Sequence, residues 1–234
     1  MEKTSYKQYL ATLTKISKAI TSDLYIEDVF KLIVTLTANV MSAKICSLWL
    51  IDDQTQVFRL QATQAMSEEY LRERSLKVGE GIVGAVAQSK KPMVIPDVML
   101  EPLYKEKALA KKEGLVSMLS VPMMVKKRVM GVINVYTTRS YKFTEGDINL
   151  LSAVANQAAV AIANTELMVK TKVIQEELEV RKKVERAKGV LMRSRGMSEE
   201  AAYELIRRSS MDRRLPMKDV AEAIILADDI GKNK

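Results

Sequence analysis

The sequence predicts an α+β chain: an antiparallel-sheet domain, a long connecting helix of coiled-coil character, and a C-terminal bundle of three helices. Three observations predict it. Apolar residues recur at spacings of three and four at both ends, whereas strand-like segments lie between Lys44 and Tyr136. Those segments come in adjacent pairs separated by turn residues, which reads as hairpins. From Ile148 the helical pattern continues through Leu167, Ile174 and Leu178 with neither Pro nor Gly before Gly189, longer than a globular helix usually runs.

Residues 5 to 41 open the chain as two helices. Leu10, Leu13, Ile16 and Ile20 form one apolar stripe; after Ser22-Asp23, Val29, Phe30, Ile33, Leu36 and Val40 form the next. Lys44 to Asp52 is mostly apolar and ends at the turn signal Asp52-Asp53; Val57 to Thr63 follows with its alternation only partly kept. Ser67 to Ser75 reads as a short polar helix capped at Ser67. In Val78-Gly79-Glu80-Gly81-Ile82-Val83-Gly84-Ala85-Val86-Ala87 the glycines permit a tight turn before a helix begun by Ile82, Val83 and Val86. Pro92 to Asp97, bracketed by prolines, is a brief edge strand, and Lys105 to Glu113 a charged, exposed helix or lid. Ser117 to Val125 and Val129 to Tyr136 flank the charged turn Lys126-Lys127-Arg128. Thr144 is the expected N-cap of the long helix, with Asp147 at its third position. It carries Ile148, Leu151, Val154, Ala155, Ala158, Ala161 and Ile162 inward. Beyond Lys182, Gly196 ends one helix, Ser198-Glu199-Glu200 caps another, and Pro216 suits the first turn of a third.

Composition narrows the chemistry. Histidine is absent, which excludes Ser-His-Asp and Cys-His nucleophile systems, the usual zinc sites and histidine autophosphorylation. The single cysteine, Cys46, lies in an apolar run and reads as a buried structural thiol rather than an exposed redox sensor. Carboxylate-only or lysine-based chemistry remains open, but the sequence carries no motif for it and no GxxxxGK[ST] phosphate loop; with no catalytic constellation, the chain is not expected to be an enzyme. No apolar run approaches the ~20 residues of a membrane span, and the opening MEKTSYKQYL lacks the apolar core of a secretion signal, so a cytoplasmic protein without membrane partners is expected. The net charge is +8. Between Arg181 and Lys218 stand twelve basic and five acidic residues, so nearly all the excess is concentrated there, which suits nucleic acid or an anionic surface.

The element order, with Val78-Gly79-Glu80-Gly81-Ile82-Val83-Gly84, Pro92-Met93-Val94-Ile95-Pro96-Asp97, Leu119-Ser120-Val121-Pro122, Gly131-Val132-Ile133-Asn134-Val135 and Phe143-Thr144-Glu145-Gly146-Asp147, resembles a GAF domain over roughly residues 20 to 165. The glycine turn also fits a dinucleotide-binding GxGxxG, but no βαβ unit surrounds it. The resemblance implies a small-molecule ligand between the sheet and the exposed helices, or a fold used only for dimerisation; the cofactor is unknown. The bilin-binding branch uses a cysteine late in the domain, and Cys46 lies early. The cyclic-nucleotide signature is met at Phe143 and Asp147, but Ile148 replaces its Glu and no Asn-Lys pair precedes it.

Val184-Glu185-Arg186-Ala187-Lys188-Gly189-Val190-Leu191-Met192-Arg193-Ser194-Arg195-Gly196-Met197-Ser198-Glu199-Glu200-Ala201-Ala202-Tyr203-Glu204-Leu205-Ile206-Arg207-Arg208, with the tail Arg214 to Ile224, is similar to an ANTAR domain. Lys188 and Arg195 lie two turns apart on one helix face, while Ala187, Val190 and Leu191 turn to a core. Gly189 in mid-helix costs ~1 kcal/mol against Ala, which hints at close approach of another backbone, of a helix or of nucleic acid. The resemblance implies an antiterminator that holds paired stem-loops in nascent RNA. Its candidate contacts are Lys188, Gly189, Arg193, Arg195, Tyr203 and Arg207, the cations for phosphate and Tyr203 either for stacking on a loop base or for the core. The expected division is a sensor with N-terminal helices over 1–165, a coiled-coil linker over 166–180 and an RNA-binding domain over 181–234, in a homodimer. A DNA-binding factor built on three short helices and an assembly adaptor are the alternatives. Where many ANTAR proteins carry a receiver domain, this chain has the GAF resemblance, so activation by aspartyl phosphorylation is not expected.

Overall fold

The computed structural model describes residues 6–22, 24–64 and 75–232. They form two compact units, 1–165 and 166–234. The first contains α1 (Tyr6–Ile20), α2 (Ile26–Val40), β1 (Ile45–Asp52), β2 (Val57–Thr63), β3 (Ser75–Lys77), α3 (Gly81–Ser89), β4 (Met93–Ile95), α4 (Lys107–Glu113), β5 (Ser117–Val125) and β6 (Arg128–Thr137). Helix α5 (Glu145–Arg195) contributes to both units, and α6 (Glu199–Arg213) and α7 (Met217–Lys232) complete the second.

All strand pairs are antiparallel, in the order β3-β2-β1-β6-β5-β4. Apolar side chains cover both faces of the sheet, which is why β1, β5 and β6 read as nearly continuous apolar runs. Cys46, Leu48, Leu119, Val121, Ile133 and Val135 pack with Ile16, Phe30, Ile33 and the first turns of α5. Ile45, Trp49, Phe58, Met118, Val132 and Tyr136 pack on the other face with Ile82, Val83 and Val86 of α3. The broken alternation of β2 has a local cause. Trp49 pairs with Leu60 but Leu48 with Ala62, so Gln61 is the extra residue of a bulge. Phe58 therefore joins one core and Ala62 the other. Pro122 is tolerated in β5 because β4 pairs only with Met118 to Ser120, leaving β5 an edge at Pro122.

The N-terminus of α5 forms as the sequence predicts. Asp147 N donates to Thr144 Oγ1 at 3.2 Å, and Thr144 N donates to Asp147 Oδ2 at 2.8 Å, a reciprocal cap. The buried Asp147 carboxylate also accepts from Tyr141 at 3.0 Å and from Tyr9 of α1 at 3.5 Å. Burial and then Asp147 push the Tyr141 phenol up to about 12. The α1 stripe is shifted from expectation: Ile16 is fully buried but Leu10 is half exposed, and Tyr9 packs in its place. The predicted helix from Ser67 lies outside the described residues except for Ser75, which instead opens β3, paired with β2. Cys46 is fully buried and its thiol is pushed well above its ordinary range.

In the second unit Val184, Ala187 and Leu191 of α5, Ala202 and Ile206 of α6, and Val220, Ala221 and Ile225 of α7 make the core. Ser198 Oγ accepts from Ala201 N at 3.2 Å to cap α6, and Gly196 adopts a left-handed φ of +62° at the turn before it. Pro216 stands one residue ahead of α7, its carbonyl accepting from Asp219 and Val220, rather than inside the first turn. Among the described residues, no helix is long and apolar enough to cross a membrane.

Candidate functional sites

Some basic residues of the second unit are ion-paired and others are not. Along the α5–α7 flank, Lys183 pairs with Glu222 and Arg186 with Asp229, and Lys182 pairs with Glu179 one turn away. Around the end of α5 and along α6, Arg193, Arg195, Arg208, Arg213 and Arg214 are exposed and have no ion-pair partner among the described residues. Five exposed arginines not matched by carboxylates thus lie around the end of α5 and along α6, as Lys170, Lys172, Arg181 and Lys218 do elsewhere in the unit, and the C-terminal end of α5 itself favours cations.

The six residues singled out in the sequence fall in four different settings. Arg193 stands one turn from Gly189 on α5, and a Cβ built on Gly189 would meet only Arg193 Nη1 at 3.4 Å. The expected close approach of another helix at Gly189 is therefore not found among the described residues; the glycine leaves an open notch. Tyr203 is 45 % exposed, so it is not core, and Arg207 lies one turn further along α6, paired with Glu204 at 3.4 Å. Arg195 lines a separate cleft of about 770 Å³ with Ser194, Leu205, Ser209 and Arg213. Lys188 does not share an exposed face with Arg195. It is 7 % exposed, and its ammonium donates to Glu185 at 2.9 and 3.0 Å and to Glu199 at 2.7 Å. The hydrogen bonds from Lys188 to Glu199 and then to Glu185 raise its pKa, and that to Lys188 lowers the pKa of Glu199. Arg208, Arg213 and Arg214 were visible only as part of the sequence's basic excess.

On α5, Leu167, Ile174 and Leu178 are each more than half exposed, and with Thr171 they repeat at four, three and four residues. This stripe is distinct from Val184, Ala187 and Leu191, which face the bundle core. That spacing is the a/d pattern of coiled-coil helices.

In the first unit, Gly79 and Gly81 take φ values of +80° and +62°, and a Cβ on Gly84 would lie 2.5 Å from the Lys77 carbonyl oxygen. The three glycines thus fold the loop tightly onto its own helix. Beneath it, Trp49, Ile82, Met118, Tyr104 and Tyr136 enclose a cavity of about 30 Å³, room for roughly one water. Tyr104 and Tyr136 meet edge to face at 6.4 Å. Lys105 bonds Glu80 at 2.8 Å at the rim, and that bond is the main cause of the lowered Glu80 pKa. On the same sheet face, Ser47, Asn134 and Ser120 form a fully buried polar row; Ser120 bonds Asn134 at 2.6 Å, and Asn134 Nδ2 has no partner among the described residues.

A family model described as GAF domain matches residues 24–163, and one described as ANTAR domain matches residues 172–225. The chain is 25% identical over 158 residues to the phosphoenolpyruvate-dependent phosphotransferase system protein of Escherichia coli (strain K12), covering 68% of this chain and 21% of that protein. It is 52% identical over 52 residues to the transcriptional regulatory protein PdtaR of Mycobacterium tuberculosis (strain CDC 1551 / Oshkosh), covering 22% of this chain and 25% of that one. The chain thus spans only a fifth to a quarter of these curated relatives. The GAF domain of a phosphoenolpyruvate-protein phosphotransferase from Coxiella burnetii superposes with a TM-score of 0.64 at 25% identity, over 70% of this chain and 98% of that structure.

Proposed function

Because this chain belongs to the GAF family and carries an ANTAR domain behind it, we propose that it is a signal-responsive transcription antitermination regulator. It binds paired stem-loops in nascent RNA through the ANTAR bundle, under control of the GAF domain. The observation that carries this reading is the set of exposed arginines around the end of α5 and along α6 that have no ion-pair partner among the described residues, together with the exposed Tyr203 of α6. Arginines neutralise phosphates, and an exposed ring offers a face to an unpaired loop base. Arg193, Arg195 and Arg207 contact the backbone, Tyr203 stacks, and the notch at Gly189 admits RNA backbone close to α5. The protein works in the cytoplasm, without membrane partners and without catalysis.

Two copies join along Leu167, Thr171, Ile174 and Leu178, so that a dimer presents two bundles to two hairpins. Glu177 and Lys182, which flank this seam five residues apart, suit attraction between parallel helices. A small molecule in the GAF domain biases this pairing, and admitting it requires Tyr104 and Tyr136 to move, because the cavity they line is too small.

The notch gives a test in which stability and binding part company. Gly189→Ala should stabilise the bundle by about 1 kcal/mol, because only a flexible arginine tip meets the new methyl. Its affinity for a two-hairpin RNA should nonetheless fall about tenfold, a loss of ~1.4 kcal/mol. A thermal melt and a gel shift on the same preparation check both, and a variant that gains stability and keeps full affinity removes Gly189 from the interface.

A further inference from the structure

Lys188 was expected at the RNA surface, and its surroundings place it elsewhere. Its ammonium has three N–H donors, and two carboxylates hold them, both oxygens of Glu185 and one of Glu199. One cation between two carboxylates leaves the group with a net negative charge, which repels phosphate. The residue is nearly covered, whereas Glu185 and Glu199 have side chains more than half exposed. The lysine therefore sits inside and the carboxylates close over it from the solvent side.

The two carboxylates come from different helices. Glu185 lies one turn before Lys188 on α5, and Glu199 is the first residue of α6, directly after the cap at Ser198. The turn between them is short; it contains the left-handed Gly196, whose built Cβ meets nothing within 4 Å, and Met197, which packs against the bundle core. The ion pair to Glu199 ties the start of α6 to α5, beside the core packing of Met197 and Ala202. Tyr203 and Arg207 lie one and two turns beyond Glu199 on α6.

We propose that Lys188 is a positioning residue: it fixes the first turn of α6 against α5, and so sets where Tyr203 and Arg207 meet RNA, without touching RNA itself. The inference rests on the RNA-binding reading for its consequence, though not for its structural half.

The test uses the full chain with Lys188→Met, Lys188→Arg and the swapped pair Lys188→Glu/Glu199→Lys, the last made together with Glu185→Gln so that no second carboxylate faces the new one. Two readouts are taken: the salt dependence of affinity for a two-hairpin RNA, and hydrogen exchange of the first-turn amides of α6 without RNA. Lys188→Met should weaken binding about tenfold, ~1.4 kcal/mol, yet keep the wild-type slope of log affinity against log salt, whereas a lost phosphate contact would make that slope shallower by about 0.7 to 0.9. The same variant should exchange faster in the first turn of α6. Lys188→Arg and the swapped pair should restore both the affinity and the protection. A shallower slope in Lys188→Met, wild-type exchange in that variant, or failure of both rescuing variants overturns the proposal. Should the wild-type chain bind no hairpin RNA, the functional reading fails, and the exchange measurements alone still decide whether Lys188 holds α6.

Discussion

Gly131→Ala should abolish the folded GAF domain or lower its melting temperature by more than 10 °C. Gly131 sits in the middle of β6 between Leu50 of β1 and Met123 of β5. A Cβ there would overlap the carbonyl oxygen of Trp49 and the terminal methyl of Met123, with Leu50 Cδ2 only 3.1 Å away. The methionine tip can turn aside, but the carbonyl belongs to a central strand whose ladder fixes it. Relief therefore means separating β1 from β6, at a cost of about 4 kcal/mol, comparable with the whole stability of a small domain. Gly114→Ala is the matched control: its φ is +66° and its surroundings are open, so it should cost only about 1 kcal/mol. Calorimetry of the three proteins distinguishes crowding from backbone conformation, and equal transitions for Gly131→Ala and wild type would mean the strand pairing is not as described.

Breaking the α5 seam should have the largest effect on function. Ile174→Glu/Leu178→Glu places like charges on both copies at adjacent seam positions, where parallel helices would bring them together. Both side chains are exposed within one chain, so the fold of each unit should survive. Light scattering should then report a monomer. Affinity for a two-hairpin RNA should fall about 100-fold, the contribution of binding two linked sites at once. Affinity for either hairpin alone should stay unchanged, which separates lost avidity from damage to the bundle. A variant that remains dimeric places the interface elsewhere.

Helices and caps were the most legible part of this fold, because each rests on a few neighbouring residues. Thr144 with Asp147, and Ser198 before Glu199, act where the sequence placed them. The strands were harder in proportion to their burial. β5 and β6 pack on both faces and so show no alternation, and the bulge at Gln61 swaps the faces of β2 midway, which periodicity cannot register. In the C-terminal unit the sequence located the charge but not its pairing. Helical spacing put Lys188 and Arg195 on one face, yet Glu199, eleven residues away across the Gly196 turn, captures the lysine. That partner is set by how α6 packs, which no local pattern encodes. Arg208, Arg213 and Arg214 failed to stand out for the same reason: an arginine is distinguished here by lacking a carboxylate neighbour, and that depends on the folded bundle.

The central claim is RNA recognition by the ANTAR bundle, and the most direct measurement is a gel shift of the full chain. A two-hairpin RNA would be compared with a DNA duplex of equal length at about 0.15 M salt, where nonspecific phosphate binding is weak. The account predicts a shift with the RNA, at least ten times tighter than any with the duplex and weakened by Arg193→Ala. Equal affinity for both, or preference for the duplex, would contradict it.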